Sequence, residues 1–325
     1  MKNGNGVMCS KRMIFFLLLS VLFTACSTYK TTADFQNAPP EKLEKLVKNS
    51  DKQGLRINVA GNRTIPKPVK KVALVSFYVF DPGTKTVKTK NGYLYKTVTF
   101  TNRALTKDGA SEVATGFYNV SINAMQKAFK RKGITLVTPD EFYNNKKAWD
   151  AYDSLTVNYS LLGNFFKELS AMFSNRLKAS AVAPGYRLFI ANPDYKYNNA
   201  IGQLCKIFNV DAVALMGIKV TTERSDYAIF HTDFQLIGKD PRPKVKRYSS
   251  YGDFVTDFGS NKQNTSNVLT PIIHLIVPGQ KPVKFAGIDK AKGGWDWNYK
   301  GFDKLAAAIA DKSADFLNKG KVMLH

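Results

Sequence analysis

The sequence predicts an α/β (α+β) domain: a mixed β-sheet with packed helices, one long β-hairpin and a helical insertion. Three observations carry that reading. KVALVSF at 71–77 and AVALMGIKV at 212–220 are nearly continuous apolar runs rich in β-formers, the composition of strands buried on both faces. Between them, residues 111–131 repeat apolar side chains at helical spacing. Asn91-Gly92, inside the alternating stretch 84–101, supplies the positive φ angles that a tight hairpin turn needs.

Taken in order, the chain opens on a segment foreign to that domain. Lys11 and Arg12 precede an apolar run over 13–25 that ends Phe23-Thr24-Ala25-Cys26. A positive start, a short apolar stretch and a small residue at the cleavage point make a secretory signal over 1–25. The run is shorter than the roughly 20 residues of a comfortable spanning helix. Met8 and Met13 are alternative starts, and a plain signal with an incidental Cys26 is the competing reading. The residues before Cys26 resemble the lipobox of bacterial lipoproteins, although Phe23 stands where Leu is usual. That resemblance implies acylation of Cys26, and two or more acyl signals anchor stably where one does not. Ser27 rather than Asp follows, which in the sorting rule of enteric lipoproteins implies the outer membrane. Residues 28–33 carry no acidic cluster of the kind that exports some lipoproteins to the surface, so a periplasm-facing protein is expected.

Removing the signal leaves about 300 residues, enough for a sizeable core. A hydrophobic fraction of 44% with 12% aromatics belongs to a folded chain. Of the three cysteines, Cys9 leaves with the signal and Cys26 is the lipid site, so the mature chain has no intramolecular disulfide. Cys205 is expected as a small buried apolar residue. The net charge of +23 becomes +20 once Lys2, Lys11 and Arg12 are lost. So basic a chain ordinarily suggests nucleic acid. An envelope address replaces that partner with anionic envelope material: headgroup phosphates, cell-wall carboxylates or glycans, or an acidic envelope protein.

Residues 26–69, with Pro39-Pro40 and Pro66-Lys67-Pro68, are expected as a lipidated N-terminus and flexible tether, and 70–325 as a single domain. After the first strand, the 84–101 hairpin either stands free as an arm or widens the sheet; widening is the expectation. The long helix has Val113, Phe117, Val120, Ala124 and Ala128 as its stripe, Asp108 and Ser111 as candidate caps, and Gly133 as its stop. A strand at 134–137 and a helical turn from Pro139 follow, so strand, helix and strand imply parallel pairing. Residues 155–197 form the insertion, mostly helical up to 183, with Leu161, Phe165, Leu169, Met172 and Phe173 as an apolar stripe. A short helix at 198–208 leads into the strand at 212–220, and 227–237 is expected antiparallel to it. Lys239-Asp240-Pro241-Arg242-Pro243 breaks the sheet, and 245–258, 269–277 and 283–288 are further strand candidates. Residues 293–299 suggest an aromatic loop carrying Trp295 and Trp297, and a closing helix sets Phe302, Leu305, Ile309 and Phe316 on one face.

KVALVSF, a long helix ending KRKG, ITLVTPDEF, and a helix followed by NVDAVALMGIKV are together similar to the core of a group of bacterial envelope lipoproteins and periplasmic proteins. These are the curli-secretion lipoprotein, the penicillin-binding-protein activator lipoproteins and the N-terminal domain of the Tol periplasmic protein. The strand after Asn209-Val210-Asp211 runs into Gly217, as it often does in that group. The resemblance covers about half the mature chain and implies a fold with no active site to carry over. The hairpin and the insertion depart from the pattern.

No catalytic, cofactor or metal residues are assigned, and an enzyme is not expected. His231, His274 and His325 have no metal-ligand spacing, and there is no nucleophile elbow, phosphate-binding loop or dinucleotide fingerprint. A two-carboxylate cell-wall hydrolase, with Glu168 and Asp153 eligible, is the second alternative. Asp153-Ser154-Leu155 also resembles an envelope O-glycosylation acceptor. The first alternative is an oligomeric secretion pore of the curli-lipoprotein type, against which Lys88, Lys96, Lys244, Lys246 and Arg247 speak as charges in or beside the hairpins a bilayer would take up. The leading expectation is a lipid-anchored binding, assembly or regulatory module of a cell-envelope process. Its partner-binding candidates are Tyr93, Tyr95 and Lys96 on the hairpin, and Trp295 and Trp297, for which core packing is the competing role.

Overall fold

The computed structural model describes residues 31–44, 47, 56–57, 69–81, 84–91, 94–101, 105–142, 144–155, 180–191, 200–223, 226–238, 271–276, 283–289 and 294–319. After a 3-10 turn at Thr32–Phe35 come β1 (Arg56–Ile57), β2 (Lys71–Phe80), β3 (Thr84–Asn91), β4 (Leu94–Thr101), α1 (Lys107–Arg131), β5 (Thr135–Val137), α2 (Pro139–Phe142) and α3 (Lys146–Ser154). Then follow β6 (Ser180–Val182), α4 (Leu204–Ile207), β7 (Ala212–Glu223), β8 (Asp226–Gly238), β9 (Pro271–Ile276), β10 (Val283–Asp289), β11 (Gly294–Trp297) and α5 (Phe302–Lys319).

Nine of the described strands form one mixed sheet with α-helices packed on it, the α/β class the sequence predicts. β5, β2 and β7 are parallel, and β8 returns antiparallel to β7. Both edges change strand halfway up. Beside β2, β5 pairs with Lys71 to Ala73 and β6 with Tyr78 to Phe80. Beside β8, β9 takes His231 to Phe234, and β10 takes Asp226 to Ile229 with β11 outside it. β2 is buried at every position but Lys71, as a strand covered on both faces must be.

The motif Asn209-Val210-Asp211 has a mechanical role at the lower end of this sheet. Asn209 takes a left-handed φ of 51° as the chain leaves α4. The Asp211 carboxylate then accepts the backbone N–H groups of Lys70 (2.8 Å) and Lys71 (3.0 Å), tying β7 to the start of β2. Further up, Tyr78 stands opposite Gly217, and a Cβ at Gly217 would run into the Tyr78 ring. Glycine is there because the ring needs the space.

One face of the sheet is covered by α1 and α5. Val72, Leu74, Phe77 and Val79 of β2 meet Val113, Phe117 and Phe129 of α1 and Phe302, Leu305 and Ile309 of α5 in one cluster. The C-terminal end of α1 is held to α5 by Arg131 to Asp311 (2.6 Å) and Lys132 to Asp315 (2.7 Å). These are exposed pairs of the kind worth little individually. The opposite face holds Ala73, Val75, Val213 and Leu215 against Phe142, Tyr152, Ile201, Leu204 and Cys205. Cys205 is fully buried.

Several expectations need correction. Residues 31–47, expected within the tether, pack on the domain: Phe35, Leu43 and Val47 are buried in the main core, and Thr32 Oγ1 donates to the carbonyl of Asn298 (2.8 Å). Apolar side chains spaced by four residues buried this segment; its prolines and charges suggested otherwise. α1 begins at Lys107, because Thr106 Oγ1, not Asp108 or Ser111, accepts from Gly109 N (3.1 Å) as the N-cap. Its buried stripe includes Val113, Phe117, Ser121, Met125 and Phe129, and leaves Val120 exposed. The hairpin β3–β4 forms a separate two-stranded sheet and does not widen the main one. Its register sets Asn91 opposite Leu94, one step off the pairing in which Asn91 and Gly92 are the two loop residues.

Within the insertion, the described part after 179 is not helical: β6 pairs antiparallel with β2, and Ala183, Tyr186, Phe189, Ile190 and Ala191 are buried. Residues 156–179, the strand expected at 245–258 and the side chain of Phe316 lie outside the described residues. Gly301 has a φ of 85°, and a Cβ there would strike the Thr32 carbonyl, so the N-terminal turn is built against the entry to α5.

Two substitutions test this arrangement in the mature protein. Phe35→Ala is expected to lower urea-measured stability by about 3–5 kcal/mol; a change near zero would return this segment to a tether. Gly217→Val is expected to cost about 1–3 kcal/mol through the Tyr78 ring.

Candidate functional site

Residues 294–297 are a strand where a loop was expected, and the reason is visible in their alternation. Trp295, Trp297 and Tyr299 are half-buried on one side while Asp296 and Asn298 are exposed on the other. Gly293 and Gly294 obscure that period-two pattern in the sequence. β11 pairs antiparallel with β10, with Trp297 opposite Ala286 and Trp295 opposite Ile288.

The two indoles begin a column of rings. Trp295 stacks on Trp297 (5.8 Å, 22°), Trp297 on Phe285 (5.8 Å, 17°), and Phe285 on Tyr299 (6.1 Å, 25°). Tyr227 meets Trp295 edge-on at 4.5 Å. At the base, Phe117 lies 4.8 Å from Phe285 and 4.6 Å from Phe302. Both tryptophans therefore pack on the core and still keep part of their surface exposed. Rings fixed in this way contact a partner with little further loss of freedom.

Tyr95 and Lys96 belong to β4, opposite Lys90 and Thr89, in the separate hairpin sheet, and their side chains lie outside the described residues. Tyr93 and Cys26 lie outside the described residues altogether. So does Glu168, while Asp153 is exposed on α3.

Sequence reading missed a row of polar groups on the sheet face away from α1. Registers set Tyr78 beside Gly217, Gly217 opposite Asp233, Lys219 opposite His231, and Leu215 opposite Gln235. Asp233 and Gln235 are buried, and His231 Nε2 lies 3.5 Å from Asp233 Oδ2. The Lys219 ammonium sits over the rings of Phe230 (5.0 Å) and Phe80 (5.8 Å). Neighbouring polar atoms hold the chain at 186–191 to the sheet: Ser76 Oγ accepts from Phe189 N (3.0 Å) and the Tyr78 hydroxyl from Ala191 N (3.1 Å). The Tyr152 hydroxyl donates to the Val75 carbonyl (2.7 Å) and accepts from Arg187 N (2.8 Å).

This row is a largely buried polar scaffold. Ser76 is level with Leu215 and Gln235, and β7 separates it from the His231 strand, a gap of roughly 10 Å at ordinary strand spacing. A serine and histidine so placed are no nucleophile and base. Among the described residues, no group of three His, Cys, Asp or Glu side chains could hold a metal ion.

Tyr299 carries a pH signature. Its hydroxyl is buried with no hydrogen-bond partner among the described residues. Burial first, and the negative charge of Glu112 second, push its ionisation well above the ordinary tyrosine range. Tyr186 is pushed up by burial and then by Tyr118. Above about pH 10 an unfolded tyrosine loses a proton that these folded ones keep, so stability present below that pH falls as pH rises. Urea midpoints measured from pH 7 to 11 are expected to drop at the alkaline end. Tyr299→Phe is expected to shallow that drop and, at pH 7, to leave stability unchanged or raised by about 1 kcal/mol.

No family model matches the chain, and no curated protein or solved structure matches it either.

Proposed function

We propose that this protein is an outer-membrane lipoprotein, acylated on Cys26 and facing the periplasm, that acts as a non-catalytic binding, assembly or regulatory module of a cell-envelope process. The observation that carries the proposal is the short apolar run ending Ala25-Cys26, placed ahead of a folded domain whose first buried side chains among the described residues are Thr32 and Phe35. The similarity of the strand, helix and strand core to envelope lipoproteins supports it. So does the mature charge of +20, which suits an anionic envelope protein or glycan. Trp295 and Trp297, rigid and half-exposed on an edge strand, are the contact residues best supported by geometry. Tyr93, Tyr95 and Lys96 of the hairpin remain the second contact surface.

Metabolic labelling with an alkynyl palmitate is expected to mark the wild-type chain, and Cys26→Ala is expected to lose both the label and the membrane fraction. A photocrosslinking residue at Trp297 or Tyr95 in intact cells is expected to trap an envelope protein or a cell-wall fragment. Recovery of neither above background at both positions would refute the binding role.

A further inference from the structure

The N-terminal turn limits how this domain sits on its membrane. Thr31 bridges Lys284 of β10 in parallel, its N–H donates to Asp34 Oδ2 (2.9 Å), and the next residue is fixed to Asn298. Thr31 therefore occupies, beside β10, the edge position that β11 fills higher up. Five residue steps separate it from Cys26, and a chain spans at most about 3.3–3.6 Å per step, so the acylated residue stays within roughly 18 Å of this edge. A domain of about 300 residues has a radius of gyration near 19 Å. The leash is shorter than the body it holds. With Cys26 acylated, the side around Thr31 therefore faces the bilayer, and the opposite side is kept away from it.

The chemistry of that side suits the same conclusion. Trp297 and Trp295 lie two and four strand positions along from Lys284, roughly 7 and 13 Å. The Lys284 side chain is 45% exposed beside Asp226, and Lys300 and Lys304 are exposed where β11 gives way to α5. Asp34 is exposed beside Thr31 and Asp303 is half-buried, while Asp296 is exposed on the opposite face of β11 from the indoles; the register likewise puts Lys284 on the opposite face of this edge from the indoles. Half-exposed indoles settle at the headgroup level of a bilayer, and nearby ammonium groups meet its phosphates.

We infer that the β11 edge, with Trp295, Trp297, Lys284 and Lys300, is a membrane-docking surface whose ligand is the headgroup layer of the bilayer holding Cys26. The inference rests on the acylation proposed above. It also makes this edge a face that an external partner shares with lipid.

The test uses full-length lipidated protein in vesicles of phosphatidylethanolamine and phosphatidylglycerol. A fluorophore is attached at Lys300→Cys or at Lys147→Cys, the latter exposed on α3; acylated Cys26 and buried Cys205 stay unlabelled. Intact mass reports acylation in each sample. With acylation present, spin-labelled lipid is expected to quench the probe at 300 several-fold more than that at 147. As a second readout, Trp149→Phe leaves only Trp295 and Trp297 to report, and their emission is expected to shift blue on reconstitution. Equal quenching at the two sites in acylated protein overturns the docking surface and leaves the anchor standing. An unacylated mass overturns both.

Discussion

The pairing of β2 with β7 is the constraint on which the rest of the structure depends. β2 is covered on both faces and lined on both edges, so every neighbour is placed by where it stops. The Asp211 carboxylate fixes the start of that pairing through two backbone N–H groups. A slip of one residue would turn Val72 and Leu74 from the α1 side to the α4 side and expose the mismatch across three layers. Tyr78 on Gly217 checks the same register eight residues along, where a residue with a side chain would collide. The helices then follow: α1 and α5 cover one face, and α2, α3 and α4 the other.

The two buried runs, the antiparallel return and the strand at 283–288 were legible as strands from their apolar, β-forming composition, and the long helix from its spacing. Which strand residues face the core was not legible, because the period breaks. β-bulges shift the register between Leu74 and Ser76 in β2, between Lys219 and Val220 against β8, and between Lys284 and Ala286 in β10. Each reverses which residues face the core, so Phe285 and Ala286 are both inside and alternation is lost from the text of the chain. β6 escaped notice because three residues are too few to show a period, and its placement comes from β2. The same is true of Thr32 to Val47, whose burial depends on a surface made by the last helix.

The candidate contact residues were legible in part. Trp295 and Trp297 stood out by composition, yet their column through Phe285 ends on Phe117 of α1, far away in sequence. Asp233, His231 and Gln235 looked like ordinary polar positions of an alternating strand, because alternation usually turns its polar side to water. Here the chain at 183–191 covers part of that face, and Ser76, Tyr78 and Tyr152 bond its backbone. Ser76, Tyr78 and Tyr152, buried and hydrogen-bonded in this way, help specify one packing.

The contact between Thr32 and Asn298 joins positions 266 residues apart, and Gly301 is shaped to the Thr32 carbonyl. A chain is synthesised N-terminus first, so the residues around Thr32 wait for those around Asn298 before their places exist. β8 acquires β10 and β11 only from that same late segment. Closure is thus a late event dominated by distant contacts, a topology that folds slowly and leaves sheet edges open meanwhile. The incomplete chain is the form most in need of a chaperone, and its vulnerable period ends when α5 arrives.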